Sequence, residues 1–224
     1  MEENKRLLVI TDFDGTLSLT DVGYEVLLKF SGQGWDDIDR DYCEGRIGSM
    51  EAYGRIVAIL GGTRDDMLRF VAENTVVDPH FNEFYAFCRE HGIDVNIVSD
   101  GLDFYIDFVL RKHGLADIPF YSNRMTFHDG KPRSIEFPHA NEACNKCGTC
   151  KSNILQAGRD QFDKILYVGD GYSDLCPARK ADLVFAKGIL WTRLAQKKQQ
   201  GLRKYRTFRD VQEFLSKNGF HPGR

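Results

Sequence analysis

Several side chains that can do nucleophilic or acid–base chemistry follow short runs of strand-forming residues. The runs occupy residues 7–11, 93–98 and 165–168. The polar side chains that follow them are Asp12, Asp14, Ser99, Asp170 and Asp174. In open parallel sheets, ligands bind outside the carboxyl ends of the strands, where functional loops gather. We therefore expect these side chains to meet in one site.

Crowded carboxylates at such a site call for a cation. Two like charges about 4 Å apart repel by about 4 kcal/mol even at an effective dielectric constant of 20. Mg²⁺ would relieve this repulsion, and it pairs naturally with phosphate oxygens. A carboxylate such as Asp12 can attack phosphorus and form an aspartyl-phosphate. Asp14 lies two residues on, on the same side of an extended chain, where it could protonate the leaving oxygen and then activate water.

The elements that must position these residues alternate along the chain. Helical patterns at about 80–91, 102–113, 151–160 and 172–180 separate the strand runs, and 182–186 predicts a further strand. Strands that alternate with helices indicate an α/β fold with a parallel sheet and right-handed crossovers. The site is therefore expected at one edge of this sheet.

About 80 residues separate the first two strand runs, which is far more than one crossover needs. Residues 20–75 have a helical pattern, with Thr20, Ser49 and Thr63 as expected N-caps and Asp66 placed to complete a capping box with Thr63. The sequence therefore predicts a small helical cap at 19–79, inserted in a core formed by 1–18 and 80–224.

The core itself carries a second insertion at about 122–150. Two alternating segments flank Asp129-Gly130, which is a strong hairpin turn signal. The tail at 190–218 is expected to form two amphipathic helices.

The motifs resemble those of a known family. DFDGT at 12–16, Ser99, Lys151 and GDGYSD at 169–174 look like the four motifs of the haloacid-dehalogenase-like phosphatase superfamily, in order along the whole chain. The predicted cap lies where the phosphoserine-phosphatase-like branch, subfamily IB, has its cap. The resemblance implies a doubly wound core and Mg²⁺-dependent hydrolysis of phosphomonoesters.

The same resemblance implies residue roles. Asp12 would be the nucleophile and Asp14 the general acid and base, while Ser99 and Lys151 would bind phosphate. Asp12, the backbone carbonyl of Asp14, and Asp170 would bind Mg²⁺, with Asp174 acting through water. Because dehalogenase members lack an aspartate at the position of Asp14, its presence favours phosphate esters.

Two groups within the superfamily share finer features with this chain. DFDGTLSLTD at 12–21, LDFY at 102–105 and CGTCK at 147–151 resemble the methionine-salvage enol-phosphate phosphatases. YVGDG at 167–171 and DLCP at 174–177, with the pair Ser99-Asp100, resemble the phosphoethanolamine and phosphocholine phosphatases. The expected substrate is the methionine-salvage enol phosphate, with phosphocholine, phosphoethanolamine or phosphoserine as alternatives.

The substrate-binding set is drawn more widely than the catalytic one. It comprises Ser99, Asp100, Gly101, Lys151, Asp21, Glu25 and Arg55. Asp100 has two interpretations. It caps the helix that starts near Leu102, or, with Asp21 from the base of the cap, it receives a cationic group of the substrate.

Three cysteines stand close together at Cys144, Cys147 and Cys150, with His139 upstream. A structural zinc site needs four ligands, and here the fourth is not evident. A metal site, a disulfide and reduced thiols packing the loop that presents Lys151 all remain open.

Composition narrows the class of protein. Of the 224 residues, 42% are hydrophobic and 28% charged, and the net charge is -3, so the chain lacks the basic excess of a nucleic-acid binder. Its longest apolar runs are strand-length, which predicts no membrane span and no signal peptide. We expect a cytoplasmic monomer or homodimer whose partner is a small phosphorylated metabolite. A non-catalytic phosphate-metabolite binding module and a phosphotransferase are the rival interpretations.

Overall fold

The computed structural model describes residues 6–219, and the strands within this part of the chain form one sheet. The strands are β1 (Leu7–Thr11), β2 (Asp94–Leu102), β3 (Phe120–His128), β4 (Lys131–Glu136), β5 (Lys164–Gly169), β6 (Leu183–Ala186) and β7 (Leu202–Lys204). Their order is β4-β3-β2-β1-β5-β6-β7. All neighbours pair in parallel except β3 and β4, which are antiparallel.

Helices fill the connections between these strands. They are α1 (Val22–Phe30), α2 (Trp35–Cys43), α3 (Ser49–Ile56), α4 (Arg64–Asn74), α5 (Phe81–Glu90), α6 (Asp103–Lys112), α7 (Lys151–Gly158), α8 (Leu175–Ala178), α9 (Gly188–Gln196) and α10 (Phe208–Lys217). Helices α1 to α4 all lie between β1 and β2, in the region where a cap is predicted. The boundaries of cap and core stay a prediction.

Strand β1 is buried on both faces because it lies at the centre of the sheet. Leu7 and Val9 pack on one face with residues of α5, α6 and α10, whereas Leu8 and Ile10 pack on the other face with residues of α7 and α9. A strand covered on both sides needs apolar residues at every position, which explains its unbroken hydrophobic run. The predicted α/β class and doubly wound sheet are thereby confirmed.

The hairpin prediction is confirmed, and the sheet extends beyond it. Asp129 and Gly130 both have positive φ, 48° and 75°, between the paired β3 and β4. However, β3 begins at Phe120 and pairs in parallel with β2, so its first half belongs to the central sheet. The tail forms α9 and α10 as expected, but β7 between them was not predicted, because three residues carry too little pattern.

Of the three predicted N-caps, one is confirmed. Thr63 and Asp66 form the reciprocal capping box of α4. The prediction that Thr20 is an N-cap is wrong, because Asp21 caps α1 and accepts the Tyr24 N–H at 2.8 Å. Ser49 is the first residue of α3 and its hydroxyl instead accepts the Gly148 N–H at 3.0 Å, so it ties the helix to a distant loop.

Within residues 6–219, no helix combines the length and the apolar character needed to cross a membrane.

Candidate active site

The topology brings the predicted residues to one place. Strands β2, β1 and β5 are parallel neighbours, so their carboxyl ends meet at one edge. Asp12 follows β1 directly, Asp170 follows β5 directly, and Ser99 lies in the second half of β2. A cavity of about 440 Å³ opens at this edge. The predicted residues that line it are Asp12, Asp14, Asp21, Ser99, Asp100, Gly101, Lys151 and Asp170.

Lys151 joins two carboxylates at the floor of the cavity. Its Nζ lies 2.6 Å from Asp12 Oδ2 and 2.7 Å from Asp174 Oδ1, and its side chain is 2% exposed. Burial by itself would lower the pKa of the Lys151 ammonium, but the charges of Asp12 and Asp174 outweigh burial and raise it. The ammonium therefore stays charged, and it keeps one N–H for a further anion because it has three donors.

Asp174 is held by four donors. Its Oδ1 accepts Lys151 Nζ and, at 2.6 Å, the Tyr167 hydroxyl. Its Oδ2 accepts the backbone N–H groups of Asp170 and Gly171, both at 2.9 Å. A carboxylate has about four acceptor sites, so this residue is saturated by the protein. It positions Lys151 and the turn after β5 from behind the cavity, and it does not line the cavity itself.

Both carboxylate oxygens of Asp14 accept hydrogen bonds. Its Oδ2 accepts the Tyr105 hydroxyl at 2.7 Å and the Ser99 hydroxyl at 3.3 Å, while its Oδ1 accepts the Gly23 N–H at 3.1 Å. Desolvation, and then the charge of Asp21, raise the pKa of the Asp14 carboxyl to about 7. A carboxyl with such a pKa can both donate and accept a proton near neutral pH.

Three carboxylates lie close together at the ends of β1 and β5, and two of them, Asp12 and Asp170, keep acceptor sites for a cation, since Asp174 is saturated. One oxygen each of Asp12, Asp170 and Asp174 lies within 4.8 Å of the others. Burial and then the neighbouring carboxylate of Asp174 raise the pKa of Asp12 well above its ordinary value. Burial also raises the pKa of Asp170 to about 6, although the Thr16 hydroxyl, 2.6 Å from its Oδ1, opposes the shift. This uncompensated negative charge, on hard oxygen donors, fits Mg²⁺.

Asp100 hydrogen-bonds several segments that are distant from one another in the sequence. Its Oδ1 accepts the Thr149 N–H at 2.9 Å and the Asn123 amide at 3.1 Å, and Ser49 also hydrogen-bonds its carboxylate. Its backbone carbonyl accepts the Tyr53 hydroxyl at 2.9 Å. The helix-cap interpretation is wrong, because α6 begins at Asp103 with no side-chain cap. Asp100 instead joins α3, β3 and the loop that leads to Lys151.

Gly101 has a packing role that sequence did not reveal. Its N–H donates to Ser99 Oγ at 2.9 Å, so this donor is already used within the protein. A Cβ at this position would collide with the Tyr105 hydroxyl and would lie 2.6 Å from Asp14 Oδ2. Glycine is therefore required for the close approach of Tyr105 to Asp14.

Two predicted substrate contacts lie outside the cavity. Glu25 is half-buried in the first turn of α1, and Arg55 is exposed on α3. The Arg55 guanidinium pairs with Glu51 at 2.5 Å and with Asp41 at 3.1 Å. Neither residue lines the cavity, because the helix faces that carry them turn away from it.

Residues of α1, α2 and α3 cover the cavity with an apolar wall. Helix α2 contributes Trp35, Ile38, Asp39, Tyr42 and Cys43, which share one face at helical spacing. The wall is completed by Tyr24, Leu27, Ala52, Tyr53 and Ile56. Sequence reasoning missed this set, although the spacing of Trp35, Ile38 and Tyr42 was visible. Tyr105 and Asn123 were missed because only long-range contacts reveal them, and Tyr167 was missed because its contact with Asp174 depends on the turn after β5.

The cysteine loop lies between the cap helices and Lys151. Cys150 is the residue before α7, and Lys146 O accepts the Met50 N–H of α3 at 3.4 Å. The cysteines are free thiols. Burial raises the pKa of the Cys147 thiol to about 12, with smaller effects from Asp100 and from Cys144, Cys150 and Cys176.

Comparison with known proteins agrees with this geometry. The family model described as "Putative Phosphatase" matches residues 7–216. A 2-hydroxy-3-keto-5-methylthiopentenyl-1-phosphate phosphatase of Brevibacillus brevis is 32% identical over 215 residues, covering 95% of this chain and 96% of the relative. A relative of the same name from Geobacillus kaustophilus is 30% identical, covering 95% and 97%.

Solved structures show the same fold. A phospho-aspartyl intermediate analogue of phosphoserine phosphatase aligns with a TM-score of 0.71 at 22% identity, covering 94% of this chain and 99% of that one. Phosphoserine phosphatase from T. onnurineus aligns with a TM-score of 0.67 at 22% identity, covering 96% of each chain. The chain belongs to the haloacid-dehalogenase-like phosphatases, and it is a phosphoric monoester hydrolase.

Proposed function

We propose that this enzyme hydrolyses a small phosphomonoester through an aspartyl-phosphate formed on Asp12, with Mg²⁺ as cofactor. The observation that carries the proposal is the buried Asp12–Lys151 pair, 2.6 Å apart, on the floor of the cavity beside Asp14. A nucleophilic carboxylate, a fixed cation and a proton donor are the groups that such a transfer needs.

The reaction has two steps. A carboxylate oxygen of Asp12 bonds to phosphorus, the bond from phosphorus to the ester oxygen breaks, and Asp14 gives its proton to the departing oxygen. Water then attacks phosphorus of the acyl phosphate while Asp14 takes a proton from the water, and the bond from phosphorus to the Asp12 oxygen breaks, which frees inorganic phosphate and restores the Asp12 carboxylate. Lys151 and Ser99 bind the phosphoryl oxygens, where charge shifts during transfer.

Mg²⁺, held by Asp12, Asp170 and the backbone carbonyl of Asp14, would neutralise carboxylate and phosphate charge and so permit attack of one anion on another. Asp174 supports this site from behind, since its oxygens are occupied by protein donors.

The apolar wall supports a neutral, partly apolar leaving group. We propose 2-hydroxy-3-keto-5-methylthiopentenyl-1-phosphate, the ester named for the relatives, as the substrate. Its methylthio end suits the side chains of Trp35, Ile38 and Ile56. Among the described residues that line the cavity, Lys151 is the one cation, and Asp12 and Asp174 already engage it. The one N–H that Lys151 keeps would be taken by the phosphoryl group, so a carboxylate on the leaving group, as in phosphoserine, would find no cationic partner among these residues.

A second candidate is an amine-bearing ester such as phosphocholine or phosphoethanolamine. Asp21 and Asp39 bring carboxylates to the cavity, and Tyr24, Trp35 and Tyr42 bring aromatic rings. Both kinds of group attract an ammonium. The cytoplasmic location and the monomeric or homodimeric state stay predictions from the sequence.

Replacement of the nucleophile tests the mechanism. Asp12→Asn should abolish phosphate release in Mg²⁺ while leaving the unfolding temperature close to or above that of the wild type, because a buried charge is removed. Phosphate release should be measured with the enol phosphate, phosphocholine, phosphoethanolamine, phosphoserine and 4-nitrophenyl phosphate.

The matched control is Asp129→Asn at the exposed hairpin turn, where φ is 48° and asparagine is readily accepted. It should keep wild-type rates. Full activity of Asp12→Asn would refute the mechanism, and preference for the amine esters over the enol phosphate would select the second candidate.

A further inference from the structure

The hydroxyl of Tyr105 contacts the proposed general acid Asp14, although Tyr105 has no part in the two-step reaction above. Tyr105 lies on α6 and is fully buried, and its hydroxyl donates to Asp14 Oδ2 at 2.7 Å. Burial, and then the charge of Asp14, raise the pKa of this hydroxyl well above its ordinary value. It therefore remains protonated and able to donate a hydrogen bond near neutral pH.

Two glycines make room for this hydroxyl. A Cβ on Gly101 would overlap it, and a Cβ on Gly23 would lie 2.7 Å from it. Gly101 comes from β2 and Gly23 from α1, so the space is shaped by the core and by the predicted cap together. The ring itself is fixed by Phe104, edge to face at 5.5 Å, and by Phe13 at 6.0 Å. The hydroxyl thus has one well-defined place, beside Asp14.

The hydrogen bonds on Asp14 are unequal. Oδ2 accepts two hydroxyls, from Tyr105 and Ser99, whereas Oδ1 accepts the Gly23 N–H alone. In the proposed reaction the Ser99 hydroxyl turns to a phosphoryl oxygen, whereas the Tyr105 hydroxyl stays on Oδ2 at 2.7 Å, which is shorter than the 3.1 Å bond from the Gly23 N–H to Oδ1. Because a strong hydrogen bond donated to a carboxyl oxygen disfavours a proton on that oxygen, the proton that Asp14 carries is placed on Oδ1.

We propose that Tyr105 is a positioning residue for general acid catalysis, which orients the Asp14 carboxyl so that Oδ1 carries the proton towards the leaving oxygen. This inference rests on the proposed role of Asp14 in the hydrolysis. As the bond from phosphorus to the ester oxygen breaks, its electron pair stays on that oxygen, which takes the proton from Oδ1. Asp14 is left as a carboxylate, and the Tyr105 hydroxyl continues to donate to Oδ2.

The test exploits the need of the leaving group for a proton. An alkoxide leaves poorly unless it is protonated, whereas 4-nitrophenolate leaves without help. In Tyr105→Phe, kcat/KM for benzyl phosphate should fall about tenfold or more, within the range that general acid catalysis contributes. For 4-nitrophenyl phosphate it should change little. Because kcat/KM reports only steps up to departure of the leaving group, the later attack of water does not blur the comparison.

The ratio of the two kcat/KM values is the deciding quantity. Both values come from the same sample, so the fraction of correctly folded protein cancels. The matched control is Tyr85→Phe, which also removes a hydroxyl that donates to a carboxylate, Asp117 Oδ2 at 3.0 Å, but which does not line the cavity. This control should leave the ratio at the wild-type value.

A series of substituted phenyl phosphates adds a second readout. The logarithm of kcat/KM should depend more steeply on the pKa of the leaving phenol in Tyr105→Phe than in the wild type. A merely structural role would lower the whole line without changing its slope. An unchanged ratio and slope in an active Tyr105→Phe enzyme would overturn this inference alone. Absence of wild-type activity on both esters would overturn the proposed function and this inference with it.

Discussion

At the scale of single residues, the floor of the cavity carries more negative than positive charge. Asp12, Asp14 and Asp170 face Lys151, which Asp174 also engages, and burial raises the pKa of each of the first three carboxyls. Buried carboxylates close to one another are stabilised when they bind protons or a cation, compared with the state in which they stay ionised and unpaired. The site therefore weakens the metal-free fold at neutral pH, and a bound cation should restore what is lost.

Asp170 allows a test of whether a buried carboxylate destabilises the metal-free fold at neutral pH. Its pKa is about 6 in the folded protein, against an ordinary value of 3.8, so the folded state holds the proton more tightly than the unfolded state does. The stability that this group contributes is present below pH 3.8 and is lost as pH rises through about 6. In EDTA, Asp170→Asn should therefore unfold at a higher temperature than the wild type at pH 8, but not at pH 4.

Thermal unfolding at both pH values, with EDTA and with Mg²⁺, measures this difference. Asparagine still offers a carbonyl to the Thr16 hydroxyl, so the turn is preserved. Mg²⁺ should raise the unfolding temperature of the wild type far more than that of the variant. Equal differences between variant and wild type at pH 4 and pH 8 would contradict the assignment.

At the scale of elements, Asp100 joins segments that are distant in sequence. Its backbone carbonyl accepts a hydrogen bond from Tyr53 of α3, and its carboxylate accepts hydrogen bonds from Asn123 of β3 and Thr149 of the loop before α7. The same loop touches α3 again, since Gly148 N–H donates to Ser49 Oγ. This junction fixes Thr149, two residues before Lys151, relative to β2, which is how the loop can hold a buried lysine at the site.

A pair of variants separates this junction from a role in binding a cationic substrate. Asp100→Ala should lower the free energy of unfolding by about 1–3 kcal/mol, because buried donors lose their acceptor. It should reduce kcat/KM for phosphocholine and for the enol phosphate, whose leaving group carries no charge, by the same factor. Asp100→Asn keeps a carbonyl for Thr149 and Asn123 while it removes the charge, so the relative rates of the two esters should match the wild type. A loss confined to phosphocholine in Asp100→Asn would show that the charge receives an ammonium.

At the scale of the whole molecule, the cavity is formed between the strand ends and helices α1 to α3. Contacts between the two sides are made at Gly23 with Asp14, Tyr53 with Asp100, and Ser49 with Gly148. The polar side of the cavity is suited to phosphate, and the apolar side to the rest of the ester. A substrate that fills both sides would exclude water during transfer.

The two tryptophans of the chain provide a direct test of this arrangement. Trp35 lines the cavity, whereas Trp191 packs in the smaller core cluster on the opposite face of the sheet. In Asp12→Asn/Trp191→Phe with Mg²⁺, benzyl phosphate should shift the emission of Trp35 to the blue and saturate, because bound ester displaces water. Asp12→Asn/Trp35→Phe is the control and should show no saturable change. A saturable change in the control alone would place binding elsewhere.

The sequence by itself determined the chemistry and the class of fold. Asp12 and Asp14 are fixed in spacing by a local turn, and the doubly buried run of β1 identifies a central parallel strand. The Thr63–Asp66 capping box and the Asp129-Gly130 turn are likewise local, involving residues at most three positions apart. Patterns over a few residues reveal such features because their hydrogen bonds close within the segment itself.

Only the tertiary structure decided which side chains act on one another. Tyr105 donates to Asp14 across 91 positions, and Thr149 donates to Asp100 across 49. It also decided that Glu25 and Arg55 face away from the cavity, since an amphipathic pattern does not say which partner covers each helix face. These outcomes depend on how the elements pack, because a side chain's partners are set by burial and close approach of distant segments.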